Sequence, residues 1–231
     1  MPQHCHCGRE LCIANLELFK SLSRDLQEEI VDRALHFEVA ANTNLINEGD
    51  TADFILVIRE GKVKLNRFDA EGKEYILDIL LDGEIIGDES FLWTDHFDYN
   101  ATTTTPAKMC RISKAMLFEV IHEHHEALPL VTALIEQLSA RLHQANAKIQ
   151  MLMEGNGLKR VVGFILERDR RLNGAPIQLS LDDIAGSTNL RRETVSRKLT
   201  ELQKDGLIHR SGHKNLEILD REKLLQIYLE T

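Results

Sequence analysis

The sequence predicts an α+β chain in three structural parts: an N-terminal double-stranded β-roll, one long helix and a C-terminal winged helix-turn-helix. Three observations carry this. Between Phe37 and Ile112, short apolar runs are cut by single glycines at 49, 61, 72, 83 and 87, the pattern of many short strands and tight turns. From Leu128 to Leu152 apolar residues recur at alternating steps of three and four, a heptad seam. Ser180–Asp205 reads as two helices broken by a sharp turn. The expected divisions are a cysteine-rich segment at 1–15, the roll at 16–125, the long helix at 126–154 and the winged domain at 158–231. At 231 residues the chain is long enough to bury a sizeable core.

Taken in order, the chain opens with MPQHCHCGRELC, which has no apolar signal core. Cys5, Cys7 and Cys12 lie there beside His4 and His6, close enough to share one metal centre, and thiolates suit iron–sulfur clusters or zinc. Three ligands leave one coordination place, and the fourth cysteine of the chain is Cys110. A tail with reactive thiols is the alternative at this point. Leu16–Val39 follows as a helical lead-in, with Leu18, Phe19, Leu22, Leu26, Ile30 and Leu35 at helical intervals. In the roll, FILVIREGKVKLNRF alternates and turns at Glu60–Gly61, and DAEGKE reads as a hairpin turn. Cys110 sits in KMCRI, the last strand, placed to approach the N-terminal segment.

HEHHE at 122–126 invites a zinc reading, but the fourth residue after His122 is Glu126, so the spacing fails and a solvated helix start is expected. The seam comprises Leu128, Val131, Ile135, Leu138, Leu142, Ala145, Ile149 and Leu152, long enough for a two-stranded coiled coil, so a homodimer through 128–152 is expected. Gly155-Asn-Gly157 marks a hinge, and Lys159–Arg171 is a helix packing through Val161, Val162, Phe164 and Ile165, with Leu172 beyond it.

In the helix-turn-helix, Ser180 caps the first helix, with Asp182 and Asp183 in its first turn. Asn189 tolerates the left-handed backbone that the turn needs. Leu190, Val195, Leu199 and Leu202 give the second helix a buried face, leaving Arg191, Arg192, Glu193, Ser196 and Arg197 outward. Such a helix start suits a major groove, so double-stranded DNA is the expected partner. GLIHRSGHKNLEI at 206–218 reads as a β-wing whose His209, Arg210, His213 and Lys214 are placed to reach phosphates.

The formal charge of −9 argues at first against DNA, but it is unevenly spread. Residues 158–231 carry 14 Lys+Arg against 11 Asp+Glu, whereas the first 157 carry 14 against 26. The positive excess sits with the helix-turn-helix. No run of 18 apolar residues is present, so no membrane span is expected, and the absence of a signal core points to a cytoplasmic protein. There is no phosphate-cradling glycine loop with its lysine and no nucleophile motif, so an enzyme is not expected. A roll-fold metalloenzyme would need converging histidines, and between Phe37 and Ile112 only His96 is available.

The order of parts, with RRETVSR in the second helix and INEGD…REGKVKL…GEIIGDESF in the roll, resembles the CRP/FNR family of bacterial transcription regulators over nearly the whole chain. The resemblance implies a cyclic-nucleotide-binding-like roll and RNA polymerase as a partner if the protein is an activator, with Glu89 as a candidate contact. In the cyclic-AMP-binding type, a Gly-Glu pair is followed by an Arg-Ser that grips the phosphate. Here GDES stands at 87–90 but FDYNATTTT at 97–105 has no arginine, so cyclic AMP is not expected. The FNR type instead places three cysteines near the N-terminus and one on a roll strand. The resemblance therefore implies one [4Fe–4S] cluster per subunit on Cys5, Cys7, Cys12 and Cys110, and with it oxygen or redox sensing. The first gaps hold one and four residues where the family has two and five, which keeps a disulfide or zinc as rivals, and a small metabolite in the roll as another input. Glu193, Ser196 and Arg197 match the Glu-x-x-Ser-Arg pattern of FNR-type recognition helices, and Arg192 stands where the cyclic-AMP type adds a guanine-reading arginine. A palindrome with TTGA/TCAA-like or TGTGA-like half-sites is expected. Sensors of this type can place an acid in the dimer seam; this seam has none, so a dimer is expected whatever the state of the cysteines.

Overall fold

The computed structural model describes residues 13–14, 16–91, 95–125, 127–212 and 214–230. Cys5, Cys7, Cys12, His4, His6, Glu126 and His213 therefore lie outside the described residues.

Helix α1 (Arg24–Arg33) begins where Ser23 Oγ accepts the Leu26 N–H, and it buries Leu26, Ile30 and Val31. The helical lead-in expected from Leu16 to Val39 is thus only partly helical. Residues 17–22 form turns whose Leu18, Phe19 and Leu22 are buried, tied back by the Gln27 amide donating to the Phe19 and Leu22 carbonyls. After Arg33 the chain becomes strand β1 (Leu35–Val39), because LHFEV finds a ladder of backbone partners in β8 and cross-strand pairing overrides local periodicity.

Seven further strands complete the roll: β2 (Asn44–Ile46), β3 (Phe54–Glu60), β4 (Val63–Phe68), β5 (Glu74–Leu80), β6 (Ile85–Ile86), β7 (Asn100–Thr103) and β8 (Ala107–Ser113). They form two four-stranded sheets, ordered β1-β8-β3-β6 and β2-β7-β4-β5. The turn at Glu60–Gly61 therefore carries the chain from one sheet to the other, while DAEGKE closes the β4–β5 hairpin within one sheet. Gly61 takes φ +112°, and a Cβ there would lie 2.7 Å from the Pro106 carbonyl oxygen, so only glycine turns this corner. Between the sheets sits a core that includes Ile46, Leu56, Ile58, Val63, Phe97, Tyr99 and Met109.

Helix α2 (Lys114–Glu123) leaves β8, and HEHHE falls at its C-terminal end rather than at a helix start. His124 bonds Glu29 at 2.8 Å across the surface and His125 adopts φ +56°. Helix α3 (Ala127–Met153) has two faces. Leu130, Ala133 and Leu134 pack into the cluster that holds α1 and Cys110. Of the heptad seam, Leu128, Val131, Ile135, Leu142, Ala145 and Ile149 are exposed in the single chain, with Leu138 and Leu152 half-buried.

After the glycine pair, Asn156 Oδ1 caps helix α4 (Gly157–Arg171), which buries Val161, Val162, Phe164 and Ile165. A short strand β9 (Ile177–Gln178) precedes helices α5 (Leu181–Thr188) and α6 (Arg192–Lys204). Strands β10 (Ile208–Ser211) and β11 (Asn215–Ile218) form the wing, extended by β9 into a three-stranded sheet, and helix α7 (Arg221–Leu229) closes the chain. The Cα framework forms two units, one running to Phe68 and resuming over Leu77–Leu142, the other comprising Asp69–Ile76 and the chain from His143 onward.

Candidate nucleic-acid interface and thiol site

The geometry of α5 and α6 follows from a few residues. Ser180 Oγ accepts the Asp183 N–H at 3.1 Å while Asp183 Oδ2 accepts the Ser180 N–H at 3.0 Å, a reciprocal capping box that fixes where α5 starts. Asn189 ends it at φ 52° and ψ 44°, the left-handed conformation that turns the chain toward α6. Ile184 and Ala185 of α5 and Val195, Leu199 and Leu202 of α6 are all buried. Each large apolar side chain so buried contributes about 1.5–3 kcal/mol, enough to hold the pair of helices as a unit.

That packing decides what is left outside. Arg191, Arg192, Glu193 and Arg197 are exposed and Ser196 is half-buried, so all five predicted residues line one end and one outward face of α6. Arg192 Nη1 bonds Asp182 Oδ2 at 3.1 Å, with both side chains still largely open to solvent. Backbone N–H groups at the start of a helix attract phosphate, and guanidinium and carboxylate groups on its next turns match base edges. On the wing, His209 and Lys214 are exposed and Arg210 half-buried, with Gly212 at φ +66° shaping the turn.

Cys110 is buried in the cluster that also holds Ile13, Leu16, Leu18 and Phe19. Its partner across the β1–β8 ladder is His36, and register places the two directly opposite. His36 Nε2 lies 2.9 Å from the Val31 carbonyl oxygen and Nδ1 lies 2.9 Å from Cys110 Sγ. A carbonyl can only accept, so Nε2 carries the proton in this contact, and in the neutral ring Nδ1 presents its lone pair to sulfur. His36 escaped the sequence reading, which began the roll at Phe37 and so counted His96 alone among its histidines. Alternation in LHFEV would set His36 on the polar face, whereas the strand buries it and leaves Leu35 exposed, so no local signal marks it.

The GDES segment is also occupied from within. Gly87 takes φ +88°, and a Cβ there would lie 3.0 Å from both the Phe54 carbonyl oxygen and the Phe97 ring. Phe54, Phe97 and Tyr99 pack as tilted rings with centroids 5.3 and 5.8 Å apart. The guanidinium that reaches GDES comes from α3. Arg141 contacts Asp88 Oδ1 at 2.5 Å, Glu89 Oε2 at 3.1 Å and the Ile85 carbonyl at 2.7 Å. Tyr99 donates its hydroxyl to Glu89, and Gln137 donates to Asp88. Burial pushes the Asp88 carboxyl up to about 7, opposed in part by the Arg141 charge. Glu89, expected as an exposed residue, is instead half-buried and engaged by Tyr99 and Arg141. Arg141 escaped the sequence reading because it lies between seam positions, where a charged residue reads as solvated.

Two families match the chain: residues 36–124 match the cyclic nucleotide-binding domain, and residues 159–227 match the Crp-like helix-turn-helix domain. The transcriptional activator protein anr of Pseudomonas aeruginosa is 27% identical over 235 residues, covering 97% of this chain and 92% of that protein. The nitrogen fixation regulation protein FixK of Azorhizobium caulinodans is 24% identical over 196 residues, covering 81% of this chain and 77% of that protein. Among solved structures, FixK2 from Bradyrhizobium japonicum superposes with a TM-score of 0.75 at 22% identity, covering 86% of this chain and 98% of that one. That likeness concerns the fold. Among the described residues, no helix is long and apolar enough to cross a membrane.

Proposed function

The chain belongs to the CRP/FNR family of DNA-binding transcription regulators, not to an enzyme family, and on that premise we propose that it acts as a cytoplasmic homodimer on a palindromic DNA site, under redox control. The observation that carries the DNA reading is the set of exposed side chains on a helix whose other face is buried: Arg191, Arg192, Glu193 and Arg197, with Ser196 beside them. In this reading Glu193 accepts from cytosine N4, Arg197 bonds guanine O6 and N7, and Ser196 meets a thymine methyl. The half-sites are TTGA/TCAA-like or TGTGA-like. Footprinting or selection tests this, and a preferred site without a TGA core contradicts it.

The dimer reading is supported by the exposed seam of α3. Leu128, Ile135, Leu142 and Ile149 are each more than half exposed in the single chain, an apolar stripe that a second copy would cover. A two-fold partner also supplies the second reading helix that a palindrome requires. The working divisions are 1–15, 16–125, 126–154 and 158–231, as read from the sequence.

The input we propose is the set Cys5, Cys7, Cys12 and Cys110. Of these, Cys110 alone is among the described residues, buried in the apolar cluster that also holds Ile13, the residue after Cys12. A bound iron–sulfur cluster would supply oxygen-sensitive redox chemistry. A thiol–disulfide exchange among the same cysteines is the second reading, favoured by their irregular spacing. Cyclic AMP is not the expected effector, because Phe97 packs against Gly87 and Arg141 is committed to Asp88, Glu89 and the Ile85 carbonyl. If the protein activates, as the name of the Pseudomonas relative indicates for that protein, RNA polymerase is a further partner. Absorbance near 400 nm after anaerobic purification, with iron and sulfide assay, separates a cluster from a disulfide.

A further inference from the structure

We propose that Lys73 and Ile76, at the end of the β4–β5 hairpin, are positioning residues for DNA reading. The hairpin end wedges between α3 and α5 and braces the reading head across the glycine hinge. The inference rests on the reading above that α6 of each copy meets one half of a palindrome. It gives the hairpin a part in setting where that helix stands.

Asp69–Ile76 belongs to the same compact unit as the helix-turn-helix and the last part of α3. Ile76 is 5% exposed, and its side chain fills a notch in α5 that exists only because residue 186 is glycine. A Cβ there would lie 2.6 Å from Ile76 Cδ1 and 2.8 Å from its Cγ1. Glycine weakens a helix, so one inside α5 calls for a packing reason, and the close approach of Ile76 supplies it. On the other side, Lys148 Nζ of α3 donates to the Ile76 carbonyl at 2.8 Å. Lys73 Nζ donates at 3.3 Å to Oδ1 of Asn189, the residue whose left-handed backbone turns the chain toward α6. The turn of the hairpin is itself held: Asp69 Oδ1 accepts the N–H groups of Glu71 and Lys73, both at 2.9 Å.

The covalent link from α3 to α4 is Glu154-Gly155-Asn156, and a Cβ on Gly155 would meet nothing within 4 Å. Arg160 Nε donates to the Glu154 carbonyl at 2.6 Å, a bond at the hinge itself. The hairpin grips α5 further along the chain, and so with a longer lever. Its contacts fall on α5 and on the turn, while Arg191, Arg192, Glu193 and Arg197 remain exposed. The brace therefore sets orientation and does not mask the reading face. On a palindrome, two heads held at fixed spacing bind as one unit. Loose heads bind one half-site as before and lose the gain from the second.

The test uses the full chain on two duplexes, an inverted repeat of TTGA/TCAA half-sites and a duplex carrying one half-site. Gly186→Ala closes the notch although alanine is the better helix former, so α5 itself should not weaken. Its affinity for the inverted repeat should fall about tenfold or more, out of the ~10²–10⁴ that joining two modules contributes, with half-site affinity unchanged. Ile76→Ala should do the same by emptying the notch, and Lys73→Ala should give a smaller loss of the same kind. The Ile76→Ala/Gly186→Ala double variant should recover most of the loss. Its two Cβ atoms would stand 3.6 Å apart, an ordinary contact. Equal losses on both duplexes, losses that add in the double variant, or no loss at all overturn the proposal. Hydrogen exchange over 69–76 and 181–189 in the free protein should rise in each single notch variant and fall again in the double. If wild type binds neither duplex, the DNA reading fails, and exchange still decides whether the hairpin holds α5; unchanged exchange in Gly186→Ala overturns that. Should Ile76→Ala fail to fold, Gly186→Ala alone decides, through the split between the two duplexes.

Discussion

Ile135→Glu is the perturbation that bears most directly on the proposed dimer. Ile135 lies mid-seam on α3 and is 59% exposed in the single chain, so a second copy has most of that side chain left to cover. Full burial of an isoleucine is worth about 1.5–3 kcal/mol, so covering the exposed portion contributes roughly 1–2 kcal/mol per chain. Both copies carry the substitution, which doubles the loss to roughly 2–4 kcal/mol before the cost of bringing two carboxylates together. At ~1.4 kcal/mol per tenfold, dimer dissociation should strengthen by about 30- to 1,000-fold. Sedimentation equilibrium, on wild type and variant, in air and under anaerobic reduction, measures this. Wild type should sediment as a dimer in both atmospheres, since the eight seam positions from Leu128 to Leu152 are all apolar and no acid is available to oppose pairing. An Ile135→Glu protein that dimerises like wild type, or a wild type that is monomeric at micromolar concentration, refutes the reasoning.

Three other outcomes are expected. Arg197→Ala should cost about 1–3 kcal/mol on the preferred duplex and relax one base position, measured by binding to a set of single-base variants. Asp182→Asn should strengthen DNA binding up to about fivefold, because it releases Arg192 and removes a negative charge beside it; an exposed pair is worth only ~0.2–1 kcal/mol. Weaker binding by Asp182→Asn would contradict that role. Burial raises the Asp88 carboxyl to about 7, so its contribution to stability is fully present below about pH 4 and is lost as pH rises through about 7. Thermal melts of Asp88→Asn should therefore gain on wild type between pH 5 and pH 8, and a constant difference across that range would show that Asp88 does not titrate there.

Much of this was legible in the sequence, for identifiable reasons. Ser180, Asp183 and Asn189 act through local backbone chemistry, so the capping box and the left-handed turn could be read from residue identity alone. The apolar spacing of Val195, Leu199 and Leu202 likewise fixed which face of α6 would be buried. Strand partners were a different matter. Nothing local announces that the turn at Gly61 changes sheets, or that LHFEV pairs with β8 rather than continuing α1, since both depend on residues some tens of positions away. His36 and Arg141 were missed for that reason. Each is unremarkable among its sequence neighbours and acquires a role only through a distant contact, His36 with Cys110 and Arg141 with Asp88 and Glu89.

Selection from a random duplex pool by the purified chain reports whether α6 enters duplex DNA. Run at low salt in reduced and oxidised form, the selection should return an inverted repeat whose half-sites contain TGA, and Arg197→Ala should lose that core. Recovery of no enriched sequence in either form, or an enrichment that Arg197→Ala leaves unchanged, would show that α6 does not read DNA.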